Sequence, residues 1–470
     1  MPRSDSFPLP EPPAPVFLVG IGGIGMSGLA QMLCRQGHRV AGSDRQLIGP
    51  GRTELIAQLG LLGIEIFPQD GSGVRAVAPS LLIASAAIEE GNPDFQAAPD
   101  TPRLGRAQAL SAALSRSGTK LIAIAGSCGK TTVTGWLASA LRALGRRVEM
   151  VCGGYALATA DAGIPGNYDC DADPEFSVVE VDESDKSLIE FSPDVGVLLN
   201  VGRDHHEHEE LIRVFGRFLD GCRAGVVLAD SLGSLFGAHG PALRSSFGLG
   251  GEVAPSQYAP SADGICFELS GIGSCTSGQL GQHSALNAAA VAAVLRQLGE
   301  PAAGIAAALA AFRGIAQRFQ RMDVPGQSPI PVYNDYAHNP EKIRASLLTA
   351  QEAADGPILA VFQPHGYGPL RFMRDELREV LADTLRPGDQ FVILPVYYVG
   401  GTTSFQPTSA EVASEYAVRD LPVRGLHTRD ALLAQAKEFA AAARFVVVMG
   451  ARDPSLPEWT ARLAAALWSG

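Results

Sequence analysis

Residues 121–141 of the chain read Leu-Ile-Ala-Ile-Ala-Gly-Ser-Cys-Gly-Lys-Thr-Thr-Val-Thr-Gly-Trp-Leu-Ala-Ser-Ala-Leu. The apolar run 121–125 predicts a buried parallel strand, and apolar residues recur at helical spacing from Lys130 onward. Between them, Gly126 opens a glycine loop. A strand, loop and helix of this kind bind phosphate, because backbone N–H groups converge on the anion and the helix N-terminus adds positive partial charge.

We interpret this loop as an ATP site. Lys130 is expected to reach the β- and γ-phosphates, and the Thr131 hydroxyl is expected to bind Mg²⁺. The other loop residues assigned to the nucleotide are Gly126, Ser127, Cys128, Gly129 and Thr132. The pattern Gly-x-x-Gly-Lys-Thr is shorter than the standard P-loop, so its specificity depends on the flanking strand and helix. The alternative is an ordinary glycine-rich turn between a strand and a helix.

The length, charge and cysteine content of the chain limit its possible functions. A chain of 470 residues is expected to form two to four domains. Its formal net charge of −12 argues against nucleic-acid binding, which needs a basic face. Seven cysteines without a Cys-x-x-Cys pair indicate reduced thiols in a cytoplasmic protein. No apolar run has the length of a membrane span, and the proline-rich residues 1–15 are expected to be a disordered leader.

A second glycine loop lies near the N-terminus. Residues 16–19 predict a strand, residues 20–28 read Gly-Ile-Gly-Gly-Ile-Gly-Met-Ser-Gly, and a helix and a strand ending at Asp44 follow. This pattern is close to that of dinucleotide-binding loops, but it does not distinguish an NAD site from another nucleotide-diphosphate site. The glycines could also serve helix–strand packing alone. The residues assigned to a ligand are Gly22, Gly23, Ile24, Gly25 and Asp44.

Two further segments are assigned to the same ligand. Residues 81–84 predict a buried strand, and Ser85 and Ala86 follow at the strand end where open α/β sheets bind ligands. Arg106 is a candidate phosphate contact, with an ordinary exposed arginine as the alternative.

Acidic and histidine residues follow two strands of the central segment. Residues 176–180 predict a strand that ends in Glu180, and three more acids follow by residue 185. Closely packed carboxylates repel each other, so a divalent cation such as Mg²⁺ is expected there, with a solvated acidic loop as the alternative. The next predicted strand ends shortly before His205. Because Thr131, Glu180 and His205 all follow strands of one predicted sheet, they are expected to converge.

The last third of the chain predicts another series of parallel strands. Polar residues follow three of these strands, at 334–338, 363–365 and 450–453. These residues are expected to meet at the carboxyl edge of a third sheet.

Taken in order, these motifs resemble the Mur ligases, most closely the branch that adds L-alanine, over residues 16–453. The resemblance implies an α/β protein of three domains. These are a Rossmann-like UDP-sugar-binding domain at 16–118, a P-loop ATPase-type ATP-binding domain at 119–321, and a Rossmann-like amino-acid-binding domain at 322–470.

The resemblance also implies an ATP-dependent ligase of peptidoglycan precursor synthesis. ATP would phosphorylate a UDP-N-acetylmuramate-type carboxylate, and an amino acid or amine would attack the acyl phosphate. The catalytic residues implied are Lys130, Glu180, His205, Arg318 and His338, with Mg²⁺ on Thr131, Glu180 and His205. Asn287 would contact the adenine, Asp335 the ribose, and Arg318 the phosphates of ATP. Tyr336, His338 and His365 would contact substrate, and a monomer or homodimer is expected.

The chain departs from the family pattern at four places, two of which concern the phosphate loop and the amino-acid site. Cys128 replaces a histidine of the phosphate loop. Gly366 and Pro369 replace two arginines that face the amino-acid carboxylate in the alanine-adding branch, and Arg371 or Arg374 is a candidate to compensate. A bidentate arginine–carboxylate pair is hard to replace, so L-alanine is expected to be a poor substrate. The alternative is a catalytically weakened relative that binds UDP-sugar or ATP as a sensor or partner.

Overall fold

The computed structural model describes residues 8–46, 52–160, 163–183, 187–202, 208–323, 330–398 and 404–468. The chain divides into two compact units. The first unit comprises residues 1–257, 267–275 and 286–315, and the second comprises residues 258–266, 276–285 and 316–470.

The first unit begins with a sheet of five parallel strands: β1 (Pro15–Val19), β2 (Arg39–Asp44), β3 (Glu65–Pro68), β4 (Leu81–Ala84) and β5 (Arg103–Gly105). Its helices are α1 (Ile24–Arg35), α2 (Arg52–Leu61), α3 (Ser72–Val77), α4 (Pro93–Ala97) and α5 (Arg106–Ser117). The strand order is β3-β2-β1-β4-β5. The loop after β1 therefore lies where the strand order reverses, which is the position at which such sheets bind ligands.

A second sheet has seven strands: β6 (Lys120–Ala125), β7 (Val148–Val151), β8 (Tyr168–Cys170), β9 (Phe176–Glu180), β10 (Val195–Leu198), β11 (Gly225–Ala229) and β12 (Arg244–Phe247). The helices of this region are α6 (Lys130–Ala143), α7 (Leu157–Ala160), α8 (His208–Asp220), α9 (Gly233–Phe236), α10 (Gln282–Gln297) and α11 (Ala302–Ala310), with short 3₁₀ helices at Ser187–Glu190 and Asp230–Leu232. The strand order is β12-β11-β10-β6-β9-β7-β8, and only the β7–β8 pair among these strands is antiparallel. Strand β6 thus has β9 and β10 as its neighbours.

The phosphate-loop strand and helix are anchored by burial. The five residues 121–125 of β6 are buried, as expected for a strand covered on both faces. On helix α6, the indole of Trp136 is fully buried, stacks on Phe312 with ring centroids 5.0 Å apart, and donates a hydrogen bond to the Leu309 carbonyl at 3.0 Å. The loop between β6 and α6 is therefore held between two fixed elements.

Three short strands, β13 (Pro255–Ser261), β14 (Gly264–Leu269) and β15 (Gly273–Ser277), form a small sheet of their own. The second unit contains a six-stranded sheet of β16 (Gln320–Arg321), β17 (Val332–Asp335), β18 (Ile358–Gln363), β19 (Gln390–Ile393), β20 (Val423–Gly425) and β21 (Phe445–Gly450). Its helices are α12 (Pro340–Ala353), α13 (Tyr367–Thr384), α14 (Ser409–Ala417), α15 (Arg429–Ala434), α16 (Ala436–Ala442) and α17 (Leu456–Trp468). The order is β16-β17-β21-β18-β19-β20, parallel except for β16.

Residues 8–14 do not behave as the disordered leader that the sequence predicts. Leu9 is buried, and the Arg116 guanidinium donates hydrogen bonds to the carbonyls of Leu9 at 2.7 Å and Pro10 at 2.9 Å. Arg116 also pairs with Glu11 at 2.9 Å. Proline-rich composition therefore did not prevent this segment from lying against helix α5.

The predicted fold class is confirmed, because three α/β sheets follow one another along the chain with the two glycine loops at the ends of central strands. Within the described residues, no helix is both long and apolar enough to cross a membrane. The domain boundaries at 118 and 321 stay predictions.

Candidate active site

The loop between β6 and α6 has the backbone of an anion-binding turn. Gly126 and Gly129 have φ values of +140° and +85°, a backbone conformation that residues other than glycine rarely adopt. A Cβ at Gly129 would also lie 2.9 Å from Asn287 Oδ1. The loop conformation thus requires glycine at both positions, and Asn287 lies beside the loop.

Lys130 stands at the first position of α6 and is tied down by two groups. Its Nζ donates to the Gly126 carbonyl at 2.7 Å and forms an ion pair with Glu183 Oε2 at 2.6 Å. The side chains are only 12% and 16% exposed, so this pair is screened less than a surface pair. The lysine is held at the loop by Glu183, one of the several acids that follow β9.

Thr131 and Glu180 lie side by side, as predicted. The Thr131 hydroxyl donates to Glu180 Oε1 at 3.1 Å, and the other carboxylate oxygen accepts from Gly153 N at 2.8 Å. A hydroxyl and a carboxylate are the oxygen ligands that Mg²⁺ prefers, so these residues fit the metal. His205 lies outside the described residues, and among those described no group of three or more His, Cys, Asp and Glu forms a metal cluster.

Asn200 braces the phosphate loop from the end of the neighbouring strand. Its Oδ1 accepts from Cys128 N at 2.8 Å, and its Nδ2 donates to the Cys128 carbonyl at 3.0 Å. Nearby, Gly202 N donates to Ser127 Oγ at 2.7 Å. The amide of Asn200 therefore fixes the backbone of residue 128, while the Cys128 thiol itself is exposed.

The N-terminal glycine loop gathers several of the predicted ligand residues. Gly22 N donates to Asp44 Oδ2 at 2.9 Å, which joins the glycine loop to the end of β2. A Cβ at Gly25 would lie 3.0 Å from Arg106 Nη1, so the guanidinium lies over the first turn of α1. The turn that begins at Ser85 and Ala86, after β4, also lies close to the glycine loop. A Cβ added at Gly20 would lie 3.2 Å from Ile88 Cδ1 in this turn. The glycine loop, Asp44, Arg106 and the turn after β4 thus meet at the N-terminal end of α1, where Gly23 and Ile24 lie.

A buried polar network connects α1 to the second sheet. Asn167 is fully buried, and its Nδ2 donates to the Ile24 carbonyl at 2.6 Å and to Ser27 Oγ at 2.8 Å. Gln31 Nε2 donates to Asn167 Oδ1 at 2.9 Å. This network fixes the helix that follows the glycine loop, and no motif in the sequence pointed to it.

In the second unit, the predicted aromatic and histidine residues form one cluster. The His338 and His365 rings are nearly perpendicular, with centroids 5.3 Å apart, and the Tyr336 ring centroid is also 5.3 Å from that of His338. His338 Nδ1 is 2.8 Å from the Tyr336 carbonyl, and the Arg318 guanidinium lies 5.0 Å from the centre of the Tyr336 ring. The carboxyl edge of the third sheet thus brings together Tyr336, His338 and His365, as predicted, and Arg318 lies beside them.

Burial favours the neutral form of both imidazoles of this cluster. Burial is the main cause of the lowered pKa of His338, with the charges of Lys342, Arg318 and Arg452 acting in the same direction and the bond to the Tyr336 carbonyl opposing them. Burial, then the neighbouring His338 and Arg452, lowers the pKa of His365 to about 4. His365 Nδ1 is buried and has no hydrogen-bond partner among the described residues. Such an orphan atom at a predicted substrate site marks a place for a ligand.

Asp335 is engaged within its own unit. Its Oδ1 accepts from Phe319 N at 3.1 Å, and its Oδ2 accepts a short hydrogen bond from the Ser346 hydroxyl. The predicted ribose contact through Asp335 therefore stays a prediction, since these partners already hold the carboxylate in place.

The two arginines proposed to compensate for Gly366 and Pro369 are differently placed. Arg371 Nη2 donates to Ser404 Oγ at 2.8 Å and to the Gln406 carbonyl at 2.5 Å, so its guanidinium is used to hold a loop. The guanidinium of Arg374 has no such bond among the described residues; its backbone carbonyl accepts from a buried tyrosine hydroxyl.

Four residues that position or charge these sites were not assigned from sequence: Glu183, Asn200, Asn167 and Arg452. Three of them follow strands at positions where side chains meet at the edge of a parallel sheet, and this spacing is the signal that could have identified them. Asn167 lies just before β8 and carries no such signal.

Comparisons with known proteins agree with this arrangement. Residues 15–117 match the profile "Mur ligase family, catalytic domain", residues 124–295 match "Mur ligase middle domain", and residues 317–452 match "Mur ligase, glutamate ligase domain". The UDP-N-acetylmuramate–L-alanine ligase of Rubrobacter xylanophilus is 32% identical over 82% of this chain and 85% of its own length. The enzyme of that name from Streptomyces coelicolor is 30% identical over 93% of this chain and 94% of its own.

Among solved structures, the UDP-N-acetylmuramate–alanine ligase of Thermotoga maritima superposes with a TM-score of 0.76 at 27% identity, over 96% of this chain and 98% of that one. Because family profiles match all three parts of the chain and relatives at or above 30% identity extend along more than four fifths of it, the chain belongs to the Mur ligases, a family of ATP-dependent, amide-forming ligases.

Proposed function

We propose that this chain joins the carboxylate of UDP-N-acetylmuramate, or of a closely similar UDP-sugar acid, to the amino group of an amino acid during peptidoglycan precursor synthesis. A carboxylate oxygen of the sugar attacks the γ-phosphorus of ATP, and ADP leaves. The amine nitrogen then attacks the carbonyl carbon of the acyl phosphate. Phosphate leaves and the nitrogen loses a proton, which yields the amide.

The phosphate loop is the observation that carries this proposal. Lys130 and Thr131 stand at the N-terminus of α6, each bonded to a carboxylate of the acidic segment. Phosphoryl transfer depends mainly on positioning and charge neutralisation. We infer that Lys130 leaves Glu183 for the β- and γ-phosphate oxygens when ATP binds, because its ammonium group already lies at the loop, bonded to the Gly126 carbonyl and paired with a carboxylate.

The same loop fits a metal ion. Thr131 and Glu180 would hold Mg²⁺, which supplies neutralisation of phosphate charge, and His205 is proposed as a third ligand. In this arrangement Glu180 would exchange its bond from the Thr131 hydroxyl for the metal, while Gly153 N keeps its second oxygen oriented. Asn287 beside Gly129 is proposed to contact adenine, with Asp335 at the ribose and Arg318 at the phosphates.

The UDP-sugar is proposed to bind at the N-terminal glycine loop. The amide groups at the start of α1 and the guanidinium of Arg106 supply positive charge for a diphosphate there. Asp44 is already bonded to Gly22 N, so we propose that it shapes the loop.

On the amine side, the neutral imidazoles matter because an attacking amine must be unprotonated. A neutral His365 with an unpartnered Nδ1 can accept a hydrogen bond from the incoming nitrogen, and His338 is proposed to orient the same group. Imidazolium ions there would repel the ammonium group of a substrate and weaken its binding. We also propose that the chain acts in the cytoplasm, as a monomer or homodimer.

An ADP-release screen across UDP-sugar acids and amino acids tests the proposal. We expect continuous, multiple-turnover release only when a UDP-sugar acid, an amine and Mg²⁺ are all present, with the amide product seen by mass spectrometry. Binding of UDP-N-acetylmuramate and ATP without release for any amine would instead support the sensor alternative.

A further inference from the structure

The carboxyl edge of the third sheet lacks the arginines expected to bind an amino-acid carboxylate. Gly366 and Pro369 occupy their positions, and the Arg371 guanidinium is bonded to Ser404 and Gln406. A carboxylate that leaves water for a protein site needs a cation or several hydrogen-bond donors. An amino-acid substrate at this edge therefore needs another cation or a set of hydrogen-bond donors, unless the substrate carries no carboxylate.

Arg452 is a cation that closely follows a strand at this edge. It follows β21 in a tight turn with a φ of +65°, a left-handed conformation that is unfavourable for a residue with a Cβ. Its side chain is exposed, and no hydrogen bond or ion pair of its guanidinium falls within the described residues. A strained backbone at the end of a strand, close to the cluster of His338 and His365, is typical of functional positions.

The surrounding structure holds this turn in place. The buried Asp453 forms a close ion pair with Arg429, whose Nη2 donates to Gln363 Oε1 at 2.6 Å. Gln363 pairs in register with Gly450 at the end of β21, and Pro364 and His365 follow it directly. Arg429 thus fastens the turn that carries Arg452 to the strand that leads into His365.

The charge of Arg452 also acts on the histidine cluster. After burial, it is one of the causes that lower the pKa of both His338 and His365, whereas Arg318 and Lys342 act on His338. The guanidinium is therefore electrostatically coupled to both rings. A carboxylate bound to Arg452 would place an amino group within the same neighbourhood as the free Nδ1 of His365.

We propose that Arg452 binds the carboxylate of the incoming substrate, so that the amine is an amino acid and not a simple amine. This inference rests on the proposed function. The carboxylate contact that Gly366 and Pro369 cannot make after β18 would then be made by Arg452 after β21.

The Arg452→Gly variant tests it, because glycine adopts the left-handed turn without strain and should fold at least as stably. With the best amino acid from the ADP-release screen, we expect its KM to rise about ten- to hundredfold, the range for loss of a charge-assisted hydrogen bond. Arg452→Lys should recover part of the affinity. The unaltered chain should use the amino acid far better than the corresponding decarboxylated amine, and Arg452→Gly should lose that preference.

Asp420→Gly is the matched control, since Asp420 is an exposed left-handed residue of the same sheet region with a φ of +60°. This control should leave the KM for the amino acid unchanged. Without an amine, the UDP-sugar acid should still support an exchange between ATP and ADP. The rate of this exchange should be equal in Arg452→Gly and the unaltered chain.

Amine-dependent ADP release with an unchanged KM in Arg452→Gly would overturn the inference and leave the proposed function standing. Equal use of the amino acid and its decarboxylated amine by the unaltered chain would do the same. Absence of amine-dependent release from the unaltered chain would overturn both.

Discussion

The phosphate loop and the carboxyl edge of the third sheet are built in opposite ways. At the loop, Lys130 and Thr131 are bonded to Glu183 and Glu180, and Asn200 holds the backbone. At the third sheet, His365 Nδ1 has no described partner, and Arg452 occupies a strained turn.

The difference reflects what each region recognises. Phosphate is bound largely by backbone N–H groups at a helix end, so the loop geometry has to be complete before the ligand arrives. An amino acid is recognised by side chains at strand ends, and these can be exchanged without altering the sheet. The chain accordingly keeps the Gly-Lys-Thr pattern at the loop while its amine side departs from the alanine-adding branch.

The strongest test of the loop half of this comparison is Lys130→Ala. We expect ADP release to fall by about a hundred- to a thousandfold or more, because the lysine is the cation placed to neutralise phosphate charge at the loop. Steady-state ADP release and a thermal melt measure activity and folding together. Lys120→Ala, at the exposed start of β6, is the control and should be active. Near-normal turnover in Lys130→Ala would remove the assignment of this loop to ATP.

The second-largest effect is expected at the Mg²⁺ site. Glu180→Ala should raise the Mg²⁺ concentration needed for half-maximal activity by about ten- to hundredfold, since it removes a ligand and frees the Thr131 hydroxyl. His205→Ala is expected to act in the same direction, and Glu190→Ala, at an exposed carboxylate, should have no effect. Undiminished activity in EDTA, or tightly bound zinc by elemental analysis, would contradict the Mg²⁺ site.

On the amine side, we expect free L-alanine to be a poor substrate relative to at least one other amino acid. From sequence, Gly366→Arg is predicted to improve L-alanine use. The structure opposes that single change, because Gly366 has a φ of +153° and a Cβ there would lie 3.2 Å from Pro369 Cδ. We expect Gly366→Arg/Pro369→Arg, which removes the contact with the proline ring but keeps the unfavourable φ at residue 366, to raise kcat/KM for L-alanine by at most about tenfold. Efficient and selective L-alanine ligation by the unaltered chain would show that the lost arginines are not needed.

The smallest expected effect concerns the N-terminal glycine loop, which resembles the phosphate loop in being preassembled. Arg106→Ala should weaken UDP-N-acetylmuramate binding by about tenfold, through loss of a charge-assisted contact with the diphosphate. Calorimetry should detect the UDP-sugar and no NADH. Arg39→Ala, at the exposed start of β2, should bind normally. Affinity for NADH without affinity for the UDP-sugar would make this a dinucleotide site.

Sequence by itself determined the features that depend on neighbouring residues. The strand, glycine loop and helix at 121–141, the N-terminal glycine loop and the parallel strands of the third sheet could all be predicted, because apolar periodicity and glycine spacing are local signals. The polar residues at strand ends could be predicted to meet for the same reason.

Only the tertiary structure decided which partner each of those side chains has. Lys130 pairs with Glu183, Arg106 lies over Gly25, and Arg429 links Gln363 to Asp453. Each contact joins segments far apart in the chain that parallel strands bring to one sheet edge. Spacing predicts that edge, but it does not determine which of several nearby charges pair. Equally, the order of residues 8–14 and the backbone angle of Gly366 follow from packing that composition does not encode.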